Sequence, residues 1–166
     1  MAITPHESHQ IAVHAGQGQI IKLTNFVKKL AKRENTSIAQ VLLGCKDDFQ
    51  QTAAHIAAKA GQIRSIEALA RLLGSSENSA TYFNLANRFT GDRPVHTAMR
   101  HGFLGVLKVL VANGADPTAK NRFGDMVVDY LGDFEPEEVL RVVEEYNTKE
   151  RGRLRTTQRI GLCSLV

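Results

Sequence analysis

Tryptophan is absent from these 166 residues, cysteine occurs twice, proline four times, and aromatic residues make up 6% of the chain. Cys45 and Cys163 lie far apart and match no metal-ligand or redox spacing. That argues against a disulfide scaffold or a zinc ribbon and for two free thiols in a reducing compartment. Long apolar runs are missing too: the longest, Phe103 to Ala112, is broken by Gly105 and Lys108 and falls short of the ~20 residues that span a bilayer. The opening Met1-Ala2-Ile3-Thr4-Pro5-His6-Glu7 has neither the basic flank nor the apolar core of a secretory signal, so the protein is expected to stay inside the cell that makes it.

An excess of one charge is absent from most of the chain. Residues 1–146 hold sixteen Lys and Arg against sixteen Asp and Glu, whereas residues 147–166 hold five against one. A neutral body of 1–146 followed by a basic tail of 147–166 is the expected organisation. The tail, with Lys149, Arg151, Arg153, Arg155 and Arg159 and little apolar periodicity, reads as disordered or loosely docked. Clustered cations there could attract nucleic acid or act as a nuclear signal, or face an acidic partner. The terminal Cys163-Ser164-Leu165-Val166 also sets a cysteine at the position of a prenylation motif, though with poorly favoured fillings.

What is present is a repeat. Phe49-Gln50-Gln51-Thr52-Ala53-Ala54-His55 through Gly61 aligns with Thr90-Gly91-Asp92-Arg93-Pro94-Val95-His96 through Gly102. Each runs from a turn, through a Thr-Pro-Leu-His-like start and a helix of small residues, to glycine. Gly124 and Asp129 follow Gly91 and His96 by 33 residues each, the period of ankyrin repeats. His55 and His96 are 41 apart, and the surplus falls in Gly74-Ser75-Ser76-Glu77-Asn78-Ser79-Ala80, which reads as an extended inter-repeat loop. A degenerate first unit is read at His9 to Gly16, followed by a helix with Ile20, Leu23, Val27 and Leu30 on one face.

At the other end, Glu135-Pro136-Glu137-Glu138 places proline and acids at a helix start. Val139, Leu140, Val142, Val143 and Tyr146 supply its apolar stripe, as expected for a terminal helix that shields a stack. The expected fold is therefore an all-α ankyrin-repeat solenoid of about four helix-turn-helix repeats, near residues 4–40, 46–80, 88–120 and 121–146, with a capping C-terminal helix.

His55 and His96 invite a catalytic or metal reading, but a buried histidine that hydrogen-bonds backbone and a neighbouring Thr suits the repeat better. Thr52 is available to His55, while Arg93 stands in that place before His96. His6, His9 and His14 lack a cysteine or carboxylate at ligand spacing. No Ser/His/Asp set, phosphate loop or paired-carboxylate site accompanies the repeats. A non-enzymatic protein-binding module without cofactor, metal or small-molecule substrate is expected.

The segments Gly91 to Pro117 and Asn121-Arg122-Phe123-Gly124-Asp125, then Asp129-Tyr130-Leu131 and Asp133-Phe134-Glu135-Pro136-Glu137, resemble the ankyrin domain of IκB-type inhibitors. They are most similar to the IκB-like proteins (vankyrins) of polydnaviruses. That resemblance implies sequestration of host Rel/NF-κB proteins in the host cytoplasm or nucleus and suppression of the insect immune response. An adaptor for another host target, such as an apoptosis regulator, is the alternative. No aspartate in the chain is followed by serine, so the Asp-Ser-Gly degradation signal of cellular IκB proteins is missing. Ankyrin proteins bind through turn tips and inner helices, which makes Asp48, Gln51, Lys59, Asp92, Arg100, His101, Arg122 and Asp125 the candidate partner-binding residues.

Overall fold

The computed structural model describes residues 3–131 and 136–163, and among these no strand occurs. Helices α1 (Pro5–Gly16), α4 (Ala53–Lys59) and α7 (Pro94–Arg100) form an inner row, completed by a short 3-10 helix, Val127–Tyr130. Each packs on the next. Helices α2 (Ile20–Arg33), α5 (Ile63–Leu73), α8 (Leu104–Ala112) and α9 (Pro136–Cys163) form the outer row, again packed one on the next or on their inner partners. The result is a stack of helical hairpins in which each unit buries its apolar face against its neighbours.

Local sequence starts and stops these helices. Pro5 and Pro94 occupy first helical positions, where the missing N–H has no bond to lose. Thr4 caps α1 through a reciprocal pair: its Oγ1 accepts from Glu7 N at 3.3 Å, and the Glu7 carboxylate accepts from Thr4 N at 2.9 Å. Glu7 also accepts from Arg33 at the end of α2, tying the first hairpin shut.

In the inner row, Ala54, Ala57, Ala58 and Ala98 are fully buried, so the absence of bulk lets successive inner helices approach closely. Leu23, Val27, Ile66, Leu69, Leu107 and Leu110 fill the space between rows and are also fully buried. Burial of this kind stabilises by about 1.5–3 kcal/mol per large aliphatic side chain.

Two expectations need correction, and one helix was not expected. The segment after Gly74 is not an extended loop but a helix, α6 (Ser76–Phe83). Gly74 ends α5 in the left-handed region at φ 76°. Ser75 then caps α6, accepting from Asn78 N at 3.1 Å, and Glu77 places an acid in its first turn. Its last residues, Tyr82 and Phe83, are fully buried and meet edge to face at 5.6 Å.

A further helix, α3 (Ile38–Gly44), follows α2 under a Ser37–Gln40 capping pair and packs on α2, α5 and α6. The repeat pattern did not announce it. The second correction is that α9 does not end near residue 146 but runs to Cys163, through the segment expected to be a disordered or loosely docked tail. Val139 and Val142 anchor its first turns in the core. The expectations for Asp133, Phe134, Glu135 and for Ser164 to Val166 lie outside the described residues.

Candidate functional site

Three tight turns, at residues 47–51, 87–92 and 121–125, project from the inner row and share one construction. Each begins with an Asp or Asn whose side-chain oxygen accepts two backbone N–H groups further along, a local bond that fixes a tight turn. Asp47 accepts from Phe49 N and Gln51 N at 2.9 and 2.7 Å. Asn87 accepts from Thr90 N and Gly91 N at 2.9 and 3.2 Å. Asn121 accepts from Phe123 N and Asp125 N at 2.9 and 3.0 Å. Main-chain bonds join the turns laterally, from Arg88 N to Phe49 O at 2.8 Å and from Arg122 N to Thr90 O at 2.9 Å.

The residue two places after each leading Asp or Asn is a phenylalanine. Phe49, Phe89 and Phe123 are 51%, 62% and 70% exposed, and Phe49 and Phe89 touch, with ring centroids 5.5 Å apart. Beside this ridge lies an open cleft of about 390 Å³ lined by Arg88, Arg93, Lys120 and Arg122 together with Asn87 and Asn121, and by no carboxylate. Arg93 is engaged, donating to Asn84 Oδ1 at 3.1 Å and facing Asp116 at 3.7 Å. Among the described residues, Arg88, Lys120 and Arg122 have no carboxylate within ion-pair distance.

Buried histidines hold the turns to the helices. His55 Nδ1 accepts from Thr52 N at 3.1 Å and meets Thr52 Oγ1 at 3.0 Å, while its Nε2–H donates to Asp92 O at 3.0 Å. His96 repeats the pattern: Nδ1 accepts from Arg93 N at 3.2 Å, and Nε2–H donates to Ala119 O at 2.9 Å. Burial pushes the His55 ring down to about 4 and lowers His96 as well, so both are neutral knitting groups at neutral pH. Among the described residues no three His, Cys, Asp or Glu side chains come together as a metal site, and no helix is long and apolar enough to cross a membrane.

The candidate contact residues divide into several environments. Asp48 and Arg122 are exposed at turn tips, and Gln51 is half-buried at the base of the first turn. Lys59 and His101 are exposed at the ends of inner helices; the His101 ring is lowered by burial and then by the charges of Lys59 and Arg100, which puts these two cations beside that ring on one face. Asp92 is not an exposed tip residue as expected. It is 4% exposed, ion-paired to Arg100 at 2.9 Å and accepting from Asn121 Nδ2 at 2.9 Å.

Arg100 also donates to the Tyr130 hydroxyl at 2.8 Å and lies 4.9 Å over its ring. The same hydroxyl donates to Asp125 at 2.6 Å, which with Asn121 holds the Asp125 carboxyl below its ordinary range. Asp92, Arg100, Asn121, Asp125 and Tyr130 thus form one polar lattice beneath the tips. Sequence reading missed Asn121, Tyr130 and the three phenylalanines, although the recurring Asp-or-Asn, any residue, Phe spacing was there to be found.

Comparison with known proteins agrees with this architecture. A nematode protein, the Caenorhabditis elegans homolog of ankyrin repeat and LEM domain-containing protein 2, is 34% identical over 52% of this chain, and the chain spans 18% of that protein's length. In the crystal structure of the yeast ribosomal protein Rps3 in complex with its chaperone Yar1, one chain superposes with a TM-score of 0.65 at 27% identity. That match covers 89% of this chain and 95% of the other. Residues 26–121 match the family described as ankyrin repeats (3 copies), and with hairpins stacked in that manner on both sides of the matched region the chain belongs to the ankyrin-repeat family, whose members are typically non-enzymatic protein-interaction modules.

Proposed function

We propose that this chain is an IκB-like ankyrin inhibitor that sequesters a host Rel/NF-κB protein, in the cytoplasm or nucleus of an insect cell, and so suppresses the immune response. The observation that carries the binding role is the row of turn-tip phenylalanines. Aromatic side chains held outward by fixed turns, with arginines beside them, have the composition of the residues that dominate protein interfaces. Asp48, Arg122, Lys59 and His101 flank that row or extend it along the inner helices, and Gln51, Arg100 and Asp125 border it. The Rel partner itself comes from the resemblance of the Gly91 to Glu137 region to IκB-type ankyrin domains. Lack of an Asp-Ser-Gly signal suits an inhibitor that host signalling does not remove.

A second reading is favoured by the likeness to the Rps3–Yar1 structure, which extends over nearly all of both chains. In that reading the module shields a partner protein as a chaperone does. Co-purification of the intact chain with a Rel homology region, monitored by size exclusion and by DNA-binding competition, separates the two. A stoichiometric complex that no longer binds κB DNA supports the inhibitor. Absence of a complex with any Rel protein of the host removes it and leaves the shielding role.

A further inference from the structure

We infer that the phenylalanine ridge and the cationic cleft beside it receive an extended acidic segment of a partner protein, with apolar side chains laid on Phe49, Phe89 and Phe123 and carboxylates directed at Arg88, Lys120 and Arg122. The inference rests on the chain being a protein-binding module and is independent of whether that partner is a Rel protein.

Charge complementarity selects this occupant. The cleft carries four cations and no lining carboxylate. Among the described residues Arg93 is matched by an acid, at 3.7 Å, and the other three have none within ion-pair distance, which leaves their positive charge facing outward next to exposed apolar surface. Guanidinium groups match carboxylates in paired N–H···O geometry, and the exposed rings gain from burial against aliphatic or aromatic side chains. A segment bearing both chemistries in alternation fits, because an extended strand sends successive side chains to opposite sides.

The turns are already tied to one another through Arg88 N–Phe49 O and Arg122 N–Thr90 O. Little backbone ordering therefore remains to oppose binding. A single-stranded nucleic acid would need open ring faces on which bases can stack. Phe49 and Phe89 instead lean on each other at 51°. The observations favour the acidic protein segment.

The test uses the full chain and fluorescein-labelled short peptides that alternate Asp with Leu, Asp with Ser, or Lys with Leu, with an oligouridylate as the nucleic-acid probe, all read by anisotropy. The Asp/Leu peptide is expected to bind at least about tenfold tighter than either control peptide, the gain that one hot-spot contact provides. Arg88→Glu with Arg122→Glu should transfer the preference to the Lys/Leu peptide. Phe123→Ser, at the most exposed of the three rings, should weaken Asp/Leu binding without altering the melting curve.

No binding by any peptide, equal binding of all three, or a preference that survives charge reversal would overturn the inference. So would tighter binding of oligouridylate than of Asp/Leu, which would make the cleft a phosphate site. Loss of Rel binding in the co-purification experiment with Asp/Leu binding intact would sink the Rel assignment and leave the ridge assignment standing.

Discussion

The Nε2–H of His55 donates to the main-chain oxygen of Asp92 at 3.0 Å, across 37 positions of sequence. One inner helix is thereby bolted to the turn of the next repeat. Since Nδ1 accepts from Thr52 N, the ring must be neutral to serve both partners, and a second proton would break the Thr52 contact. Burial lowers the folded ring from 6.5 to about 4. In the unfolded chain the ring takes up a proton as pH falls through 6.5, whereas the folded chain resists until about 4, so stability is lost over that window as pH falls. The shift corresponds to about 3 kcal/mol for this group, and His96, lowered for the same reason, adds in the same direction. Urea midpoints measured above pH 6.5 and near pH 4 should show the loss. His55→Gln should be less stable at neutral pH and have a shallower pH dependence, and an unchanged slope would refute the assignment.

Asn121 has every polar atom occupied. Its oxygen accepts from Phe123 N and Asp125 N, and its amide donates to Asp92 and to the Tyr130 hydroxyl. Asn121→Ala leaves buried partners unsatisfied and is expected to cost roughly 2–4 kcal/mol by chemical denaturation. Tyr130→Phe removes one hydroxyl from a half-buried position and should cost about 1 kcal/mol. Asn121→Ala should also loosen Phe123, so that a partner gripping the ridge loses affinity beyond what unfolding explains.

The hairpin repeat was readable in the chain because it is periodic, and its histidine bolts because each stands in the same short motif before a helix of small residues. The 33-residue spacing from Gly91 to Gly124 and the paired His55 and His96 survive in any register. Helix α6 was not readable, because Gly-Ser-Ser-Glu-Asn-Ser has the composition of a loop. Its order comes from Ser75 as a cap and from Tyr82 and Phe83 entering the core, a tertiary gain that local propensity does not report. Asp92 misled for the complementary reason. A turn aspartate is usually solvated, and only the distant Arg100 and Asn121 make its burial tolerable. The phenylalanine ridge was written in the spacing, but its meaning depends on three turns being side by side.

Two glycines with left-handed backbone separate strain from crowding. Gly74 has φ 76° and open space where a Cβ would stand, so Gly74→Ala should cost only the backbone penalty of about 1–2 kcal/mol. Gly114 has φ 92°, and a Cβ there would lie 2.9 Å from Ala80 Cβ and 3.2 Å from its Cα, atoms on α6 that cannot swing aside. Gly114→Ala should add about 1–3 kcal/mol of overpacking to the same penalty. Thermal melts of the two variants give the comparison, and equal losses would mean that α6 is not seated against the third repeat.

Arg100 and Arg122 look equivalent as cations near the proposed contact surface, yet their surroundings make reversing each a different experiment. Arg122 is exposed and meets no carboxylate among the described residues, so Arg122→Glu should fold with unchanged stability, within about 0.5 kcal/mol, and report on partner binding alone. Arg100 sits on the Asp92 carboxylate, whose side chain is 5% exposed, and against the Tyr130 ring. Arg100→Glu sets a second carboxylate beside a buried one that has lost its counterion. Breaking a buried pair costs up to roughly 3–5 kcal/mol. With the Arg100 side chain itself 40% exposed, solvent screening should reduce the loss to about 2 kcal/mol. Denaturation curves of the two single variants should therefore diverge, and the Arg100 variant should recover when Asp92 is changed to Asn. Affinity lost in Arg100→Glu alone would then belong to the lattice under the turns, whereas affinity lost in Arg122→Glu belongs to the surface that meets the partner.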